Sequence, residues 1–465
     1  MSNLPVRSLA LTAILSVVSA PAYAASLDEG TTPEADVPAQ ETSAAPTSEA
    51  VEVAEPQAEA PAPNGRDPYR KEFGALPALG YSNAYGLGMG IVWTMAKFDP
   101  SKNPFDWKLS GLIKVNMKTI PGSGVTIPSQ SHMLAVDMPG LAGGWLRLKT
   151  DIAYDVMLDS PYYGFGNDTD VTDWTQGVDS DDDAYDTLRQ YNHVGITEPK
   201  HSLTARMTVS DASTSEHKKR LEVVAGYSLQ YKLLDIYDGS KLADDSAADL
   251  DMLHGTENHL LVLLKTGMIW DTRDHEFTPT RGTFTQGIFD WSPGVQQGLS
   301  FGHLQAETSW FQALGSPNLV LAARLRVDAF TGTVPFYGPT QLGALSSQHV
   351  RGLRFGRYRG DLEVLENLEL RSKLIDFNIG SQRFNIGLTG FFDAGRVWGE
   401  SSEDLGPPAD ATADGNDPLD ADTLHMGVGA GPRLQWGETF LIRSDYAVSP
   451  TDGTRGFYLT IGHRF

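Results

Sequence analysis

From about Glu72 to Phe465 the chain reads as short runs of alternating apolar and polar residues, separated by Gly, Pro, Asn and Asp. No long stretch has helical period, so the pattern predicts strand after strand. Near the start, Tyr85, Leu87, Met89, Ile91 and Trp93 fall on one face, with Gly86, Gly88, Gly90 and Thr94 on the other. At the far end Phe457, Leu459, Ile461 and Phe465 share a face, opposed by Gly456, Tyr458, Thr460, Gly462 and Arg464, with His463 interrupting the apolar side. An apolar face against a small or polar one is what a barrel wall needs when lipid lies outside and water inside.

The candidate strand cores are 83–97, 107–117, 129–138, 143–157, 186–197, 201–210, 220–233, 258–271, 282–292, 300–312, 317–331, 362–374, 384–398, 423–436, 438–448 and 456–465. Sixteen is an even number, as bacterial barrels require. The expected fold class is all-β, a transmembrane antiparallel β-barrel of about sixteen strands. Counting back from a periplasmic C-terminus puts the long stretches 235–257, 332–361 and 400–422 on the outer side. The same parity puts the acidic segment 159–185 on the periplasmic side, an odd place for it.

Composition sharpens this picture at the N-terminus. Met1–Arg7 is a short basic region, Ser8–Ala20 an apolar run too short to span a bilayer, and Ala22-Tyr23-Ala24 a cleavage-site pattern. Residues 1–24 are therefore expected to be a signal peptide, which exports the rest. Residues 25–71 are rich in Ala, Pro, Glu, Thr and Ser and carry few large apolar side chains. Such a segment buries too little surface to offset its ordering entropy, so a disordered periplasmic tether is expected there, with the barrel at 72–465. The absence of cysteine excludes disulfides and thiolate chemistry, and a net charge of −23 argues against nucleic acid as a partner.

Candidate chemistry centres on Val350–Asp361, which reads V-R-G-L-R-F-G-R-Y-R-G-D and holds four arginines. So many cations in so short a span suit an exposed basic loop, or a loop folded into a polar cavity where carboxylates answer it. A second element, Phe391-Phe392-Asp393-Ala394-Gly395, lies in a strand whose parity turns Asp393 inward. Glu369 and Arg371, and further on Arg443 and Asp445, also face inward by parity. Trp270-Asp271-Thr272-Arg273-Asp274 with Pro279-Thr280-Arg281-Gly282, and Tyr163-Gly164-Phe165-Gly166-Asn167, read as turn chemistry.

Val350-Arg351-Gly352-Leu353 resembles the V-R-G-[FY] signature of the BamA/TamA-type outer-membrane assembly factors, the bacterial surface antigen barrels. Phe391–Gly395 resembles that family's F-x-D-x-G wall motif, and the D-T-R-D…P-T-R-G turn resembles another of its signatures. The resemblance implies a barrel closed between first and last strands, with loop 332–361 folded inside and Arg351 latched to Asp393. Glu369, Arg371, Arg443 and Asp445 would then extend a lumenal polar network. It implies that Phe457, Leu459, Ile461 and the terminal Phe465 form the assembly signal, and that Gly86, Gly88 and Gly90 soften the strand at the seam. The tether is too short and polar for a POTRA domain, so a member without them is implied.

Enzyme signatures are missing. His275-Glu276 lacks the second His of a zinc-protease helix, no G-x-S-x-G elbow occurs, and the acidic run Asp179–Asp186 lacks the glycine and closing glutamate of a calcium loop. No enzyme activity, metal or cofactor is expected. The expected function is outer-membrane protein assembly or polypeptide translocation. The expected partners are outer-membrane lipids, the barrel assembly machinery during biogenesis, and a periplasmic or lipoprotein partner. The competing reading is a passive pore or a structural surface barrel.

Overall fold

A computed structural model describes residues 69–82, 85–99, 102–120, 124–165, 185–213, 219–248, 253–276, 278–343, 349–379, 382–398, 424–436 and 440–461. The expected signal peptide, most of the expected tether, loop 400–422, most of the acidic run Asp179–Asp186, and Gly166, Asn167, His463, Arg464 and Phe465 lie outside these residues.

Sixteen strands form one antiparallel sheet in chain order. They are β1 Lys71–Ser82, β2 Gly86–Asp99, β3 Lys102–Ile120, β4 Gly124–Leu141, β5 Leu146–Pro161, β6 His193–Asp211, β7 Arg220–Asp235, β8 His259–Asp271, β9 Arg281–Pro293, β10 Ser300–Ala313 and β11 Leu319–Gly332, then β14 Leu362–Ile379, β15 Gln382–Trp398, β16 His425–Trp436, β17 Phe440–Ser449 and β18 Thr454–Ile461. Two short strands, β12 Thr340–Gln341 and β13 Arg359–Gly360, pair with each other inside the long β11–β14 loop.

The alternation is inverted relative to a water-soluble sheet. On β14, Leu368 and Leu370 are exposed while Glu363, Asn367 and Glu369 are buried. On β2, Leu87, Met89 and Ile91 face out, and on β8 Leu264, Met268 and Trp270 do. Exposed leucines around buried carboxylates are unfavourable in water and favourable when lipid surrounds the wall. Among the described residues no helix is long and apolar enough to cross a membrane.

The first half departs from expectation in two places that cancel in the strand count. The stretch 71–82, which precedes the first candidate strand at 83–97, is strand β1, paired residue for residue with β2 from Lys71↔Lys97 to Ser82↔Gly86. Its Pro77 is tolerated because β1 is the sheet's edge in the hydrogen-bonded order. The second departure is at Glu198-Pro199-Lys200, which reads as a turn between two strands. These residues lie inside the single strand β6. Pro199 has no N–H, so pairing with β7 lapses at Glu198 and Pro199 and resumes at Lys200 in unchanged register.

Two corrections follow. Gly86, Gly88 and Gly90 are not on the seam strand, because β2 is paired on both sides, with β1 and β3. Tyr85 does not join the outward apolar face. It is buried, its ring 6.4 Å from Phe355 and its hydroxyl donating to the Asp159 carbonyl. The corrected parity also moves the connection between β5 and β6 to the same end of the sheet as the β7–β8, β11–β14 and β15–β16 connections.

Between the sheet's two edges, β1 and β18, Cα atoms come within 8 Å. No hydrogen-bonded ladder joins the two edges among the described residues.

Candidate functional site: an arginine clasp in the lumen

The loop between β11 and β14 folds back against the inner wall. Its apolar residues Leu342, Val350, Leu353 and Tyr358 pack with Leu365 of β14 and Val397 of β15 in one buried cluster. Burying side chains of this size stabilises by about 1.5–3 kcal/mol each. The loop is therefore held by packing as well as by charge, and the packing sets where Arg351 can reach.

Arg351 is 0% exposed, as is Asp393. Its Nε donates to Asp393 Oδ2 at 2.7 Å and its Nη2 to Asp393 Oδ1 at 2.9 Å, a bidentate fork. The Arg351 backbone N–H adds a third bond to the same carboxylate at 3.1 Å. Nη1 reaches two further carboxylates, Glu369 of β14 at 3.0 Å and Asp445 of β17 at 3.2 Å. The guanidinium plane lies over the Phe391 ring, 3.3 Å from its centroid. One loop cation thus ties together three wall strands.

The wall is shaped for this approach. Asn367, Asp393 and Gly427 lie in one row across β14, β15 and β16, and Asn367 donates to Asp393 at 2.9 Å. A Cβ at Gly427 would stand 1.8 Å from the Arg351 carbonyl oxygen, so only glycine admits the loop there. Gly352 has φ +101°, and a Cβ on it would meet the β17 backbone at 2.8 Å. Its N–H donates to the Tyr458 hydroxyl at 2.9 Å and its carbonyl accepts from Thr454 at 2.7 Å. Both partners are on β18, so the loop tip is also tied to the last strand.

A second anchor lies a few residues on. Tyr358 stacks on His425 with ring centroids 3.7 Å apart, and its hydroxyl donates to Asp452 in the β17–β18 turn. Burial works against the charge on Asp452, but hydrogen bonds from His425, Tyr358 and Thr451 outweigh it and hold its carboxyl well below the usual carboxylate range. Arg359 is also buried and donates to the carbonyls of Phe336 and Pro161. Arg354 is exposed.

The residues singled out from sequence fall as follows. Val350 and Leu353 are in the apolar cluster, and Arg351, Asp393, Glu369 and Asp445 meet in one ionic hub. Arg371 donates to Glu369 at 2.8 Å. Arg443 is buried, but the cation on Asp445 besides Arg351 is Arg433, at 2.6 Å, so the expected Arg443–Asp445 pair is corrected to Arg433–Asp445. Parity shows that a side chain faces inward and not which inward neighbour it meets. Phe391, Asn367, Arg433 and Tyr458 were missed. Inward parity would have found all four, but only the loop's position makes them matter.

Phe457 is exposed on the outer face of β18, beside Leu459 and Ile461 in the same strand. At the opposite end of the sheet the turn after β8 is self-bonded: Asp271 holds Arg273, and Asp274 accepts from the Thr280 N–H at 2.9 Å. Arg147 of β5 binds Asp137 at 2.7 Å and Glu276 of that turn at 3.2 Å, which draws the turn toward the wall.

The profile of the Omp85 superfamily domain matches residues 139–465, which include the clasp and every strand that contributes to it. Among solved structures, BamA from Haemophilus ducreyi lacking POTRA domains 1–3 is similar at 14% identity over 85% of this chain and 70% of that one, with a TM-score of 0.48. CdiB from Escherichia coli is similar at 13% identity over 84% of this chain and 61% of that one, with a TM-score of 0.49. No curated protein matches. The family match spans well over half of the chain, which belongs to the Omp85 superfamily of outer-membrane β-barrel proteins.

Proposed function

We propose that this barrel assists the insertion of other outer-membrane proteins or the passage of polypeptides, with the lumenal loop acting as a latch. The observation that carries this reading is the position of Arg351. It binds the wall strands β14, β15 and β17 while the adjacent Gly352 binds β18, the strand at the sheet's edge. Releasing or holding the loop therefore acts directly on the strand beside the seam, which carries no ladder among the described residues. A seam whose edges approach without a ladder has free N–H and C=O groups that an incoming strand can pair with. No covalent chemistry is called for, and the proposal assigns no catalytic step. The partners it needs are lipid around the apolar wall, the assembly machinery that inserts this barrel, and a periplasmic or lipoprotein partner that presents clients.

A passive pore is the second reading, favoured by a lumenal cavity of about 400 Å³ between the loop and the wall. Lys114, Asn116, Gln130, Asp155 and Glu198 line it. One reconstitution separates the two. Proteoliposomes holding the intact chain should speed the folding of an urea-unfolded outer-membrane β-barrel over empty liposomes, read by its heat-modifiable gel shift. If client folding is no faster than in empty liposomes while the same vesicles conduct ions, the assembly reading is wrong and the pore stands.

A further inference from the structure

Among the described residues the ionic hub is unbalanced. Four guanidiniums, from Arg351, Arg371, Arg433 and Arg443, gather around three carboxylates, Asp393, Glu369 and Asp445. Arg443 is 5% exposed. Its Nε and Nη1, and Nη2 of Arg433, have no hydrogen-bond partner among the described residues. Arg433 and Arg443 stand directly opposite each other on β16 and β17. Two buried cations placed so repel each other, and of the two only Arg433 has a bound carboxylate, Asp445, so burying Arg443 beside it is costly. Side chains in such positions are normally satisfied, so these donors call for an acceptor.

Both guanidiniums line a small cleft of about 80 Å³ between the hub and the turns after β8 and β10, lined also by Lys373, Thr389 and Thr280. We propose that this cleft binds a phosphate-class oxyanion. Asp393 gives both oxygens to Arg351, while Glu369 and Asp445 each divide theirs between two guanidiniums, so the carboxylates of the hub are already used. The cations left facing the cleft, Lys373, Arg433 and Arg443, come from three strands, β14, β16 and β17. A tetrahedral anion with three or four acceptor oxygens satisfies donors arranged this way, and guanidinium is the side chain best matched to it. The site sits at the end of the lumen away from the clasped loop. An anion there completes the charge balance of the hub that holds Arg351.

The test uses the full chain in detergent, with inorganic phosphate and dihexanoyl phosphatidic acid as separate probes against chloride at matched ionic strength. Either probe should raise the thermal unfolding midpoint and broaden its ³¹P resonance. The one that saturates at lower concentration tells a free anion from a lipid headgroup. Arg443→Met should weaken the binding at least tenfold while melting no lower than the parent in chloride, because it removes the uncompensated charge. Should that variant fail to fold, Lys373→Met, at the half-buried rim, should weaken binding severalfold without moving the midpoint in chloride. The proposal is overturned if neither probe differs from chloride, or if the substituted chain responds to phosphate as the parent does.

Discussion

Arg351 answers three carboxylates at once, and that number decides what its loss does. Removing one partner of a buried pair costs about 3–5 kcal/mol, mostly because the other charge is left stranded. Arg351→Ala removes the bidentate partner of Asp393 and leaves the hub's carboxylates to Arg371, Arg433 and Arg443. The expected loss lies within that range, read as a lower midpoint in the heat-modifiable gel shift. A charge swap is a poor rescue here. Arg351→Asp with Asp393→Arg restores one pair but aims the loop carboxylate at Glu369 and Asp445, so the double variant should remain well below the parent. Asp452 supplies the pH dependence. Its folded pKa is depressed, so its contribution is fully present above the ordinary carboxylate value, near 4, and is lost as pH falls through the folded value. The stability gap between the parent and Asp452→Asn should thus hold from pH 7 to about 5 and shrink only below about 4. A gap that closes by pH 6 would rule out Asp452 as the anchor. The pairing of Arg351 with Asp393 could be read from the sequence because both sit in short local motifs and strand parity turns Asp393 inward. The true partner of Asp445 was not legible, since choosing between Arg433 and Arg443 depends on where long side chains bend within the lumen.

At the scale of elements, the second half of the barrel was legible because its strands are long, alternate cleanly and end in Gly- or Pro-marked turns. The first half misled at two prolines for the same physical reason. Pro77 and Pro199 each remove one donor, which reads as a strand end, yet each sits where the ladder tolerates the loss: on the edge strand β1 and at a lapse in the β6–β7 pairing. The errors have opposite sign in strand count, so the total of sixteen survived them while the sidedness of everything before Pro199 did not. Corrected parity makes a prediction about topology. The β9–β10 turn at Gln297 lies at the same end as the β5–β6 connection, and the β4–β5 turn at Gly143 and the β10–β11 turn at Gly315 lie at the other. An epitope inserted at Gln297 should be bound by antibody on intact cells, while epitopes at Gly143 and Gly315 should need a permeabilised outer membrane. The reverse result would invert the barrel.

For the whole molecule the open question is whether the clasped loop moves. Packing in the apolar cluster and the ionic hub both favour the docked state, and their combined strength suits a static plug as well as a latch that clients must release. The chain contains no cysteine, so a single engineered disulfide can decide the matter without background pairing. Gly395 of β15 faces Val350 of the loop: a Cβ built on Gly395 would lie 3.2 Å from a Val350 methyl carbon. A sulfur at that methyl position is close enough to a cysteine at 395 to close a bridge, given the Cβ–Cβ spacing of about 3.5–4.5 Å that disulfides take. Val350→Cys with Gly395→Cys should therefore oxidise to a loop tied covalently to β15, with the Leu342 methyl, 2.7 Å from the new Cβ, shifting to make room. If the loop is a latch, the oxidised form should lose most of its client-folding rate in proteoliposomes, and dithiothreitol should restore it. Each single variant should fold clients at near the parental rate under both conditions. If the oxidised double variant works as well as the reduced one, the loop need not leave its seat, and the barrel acts, if it acts on clients at all, around a fixed plug.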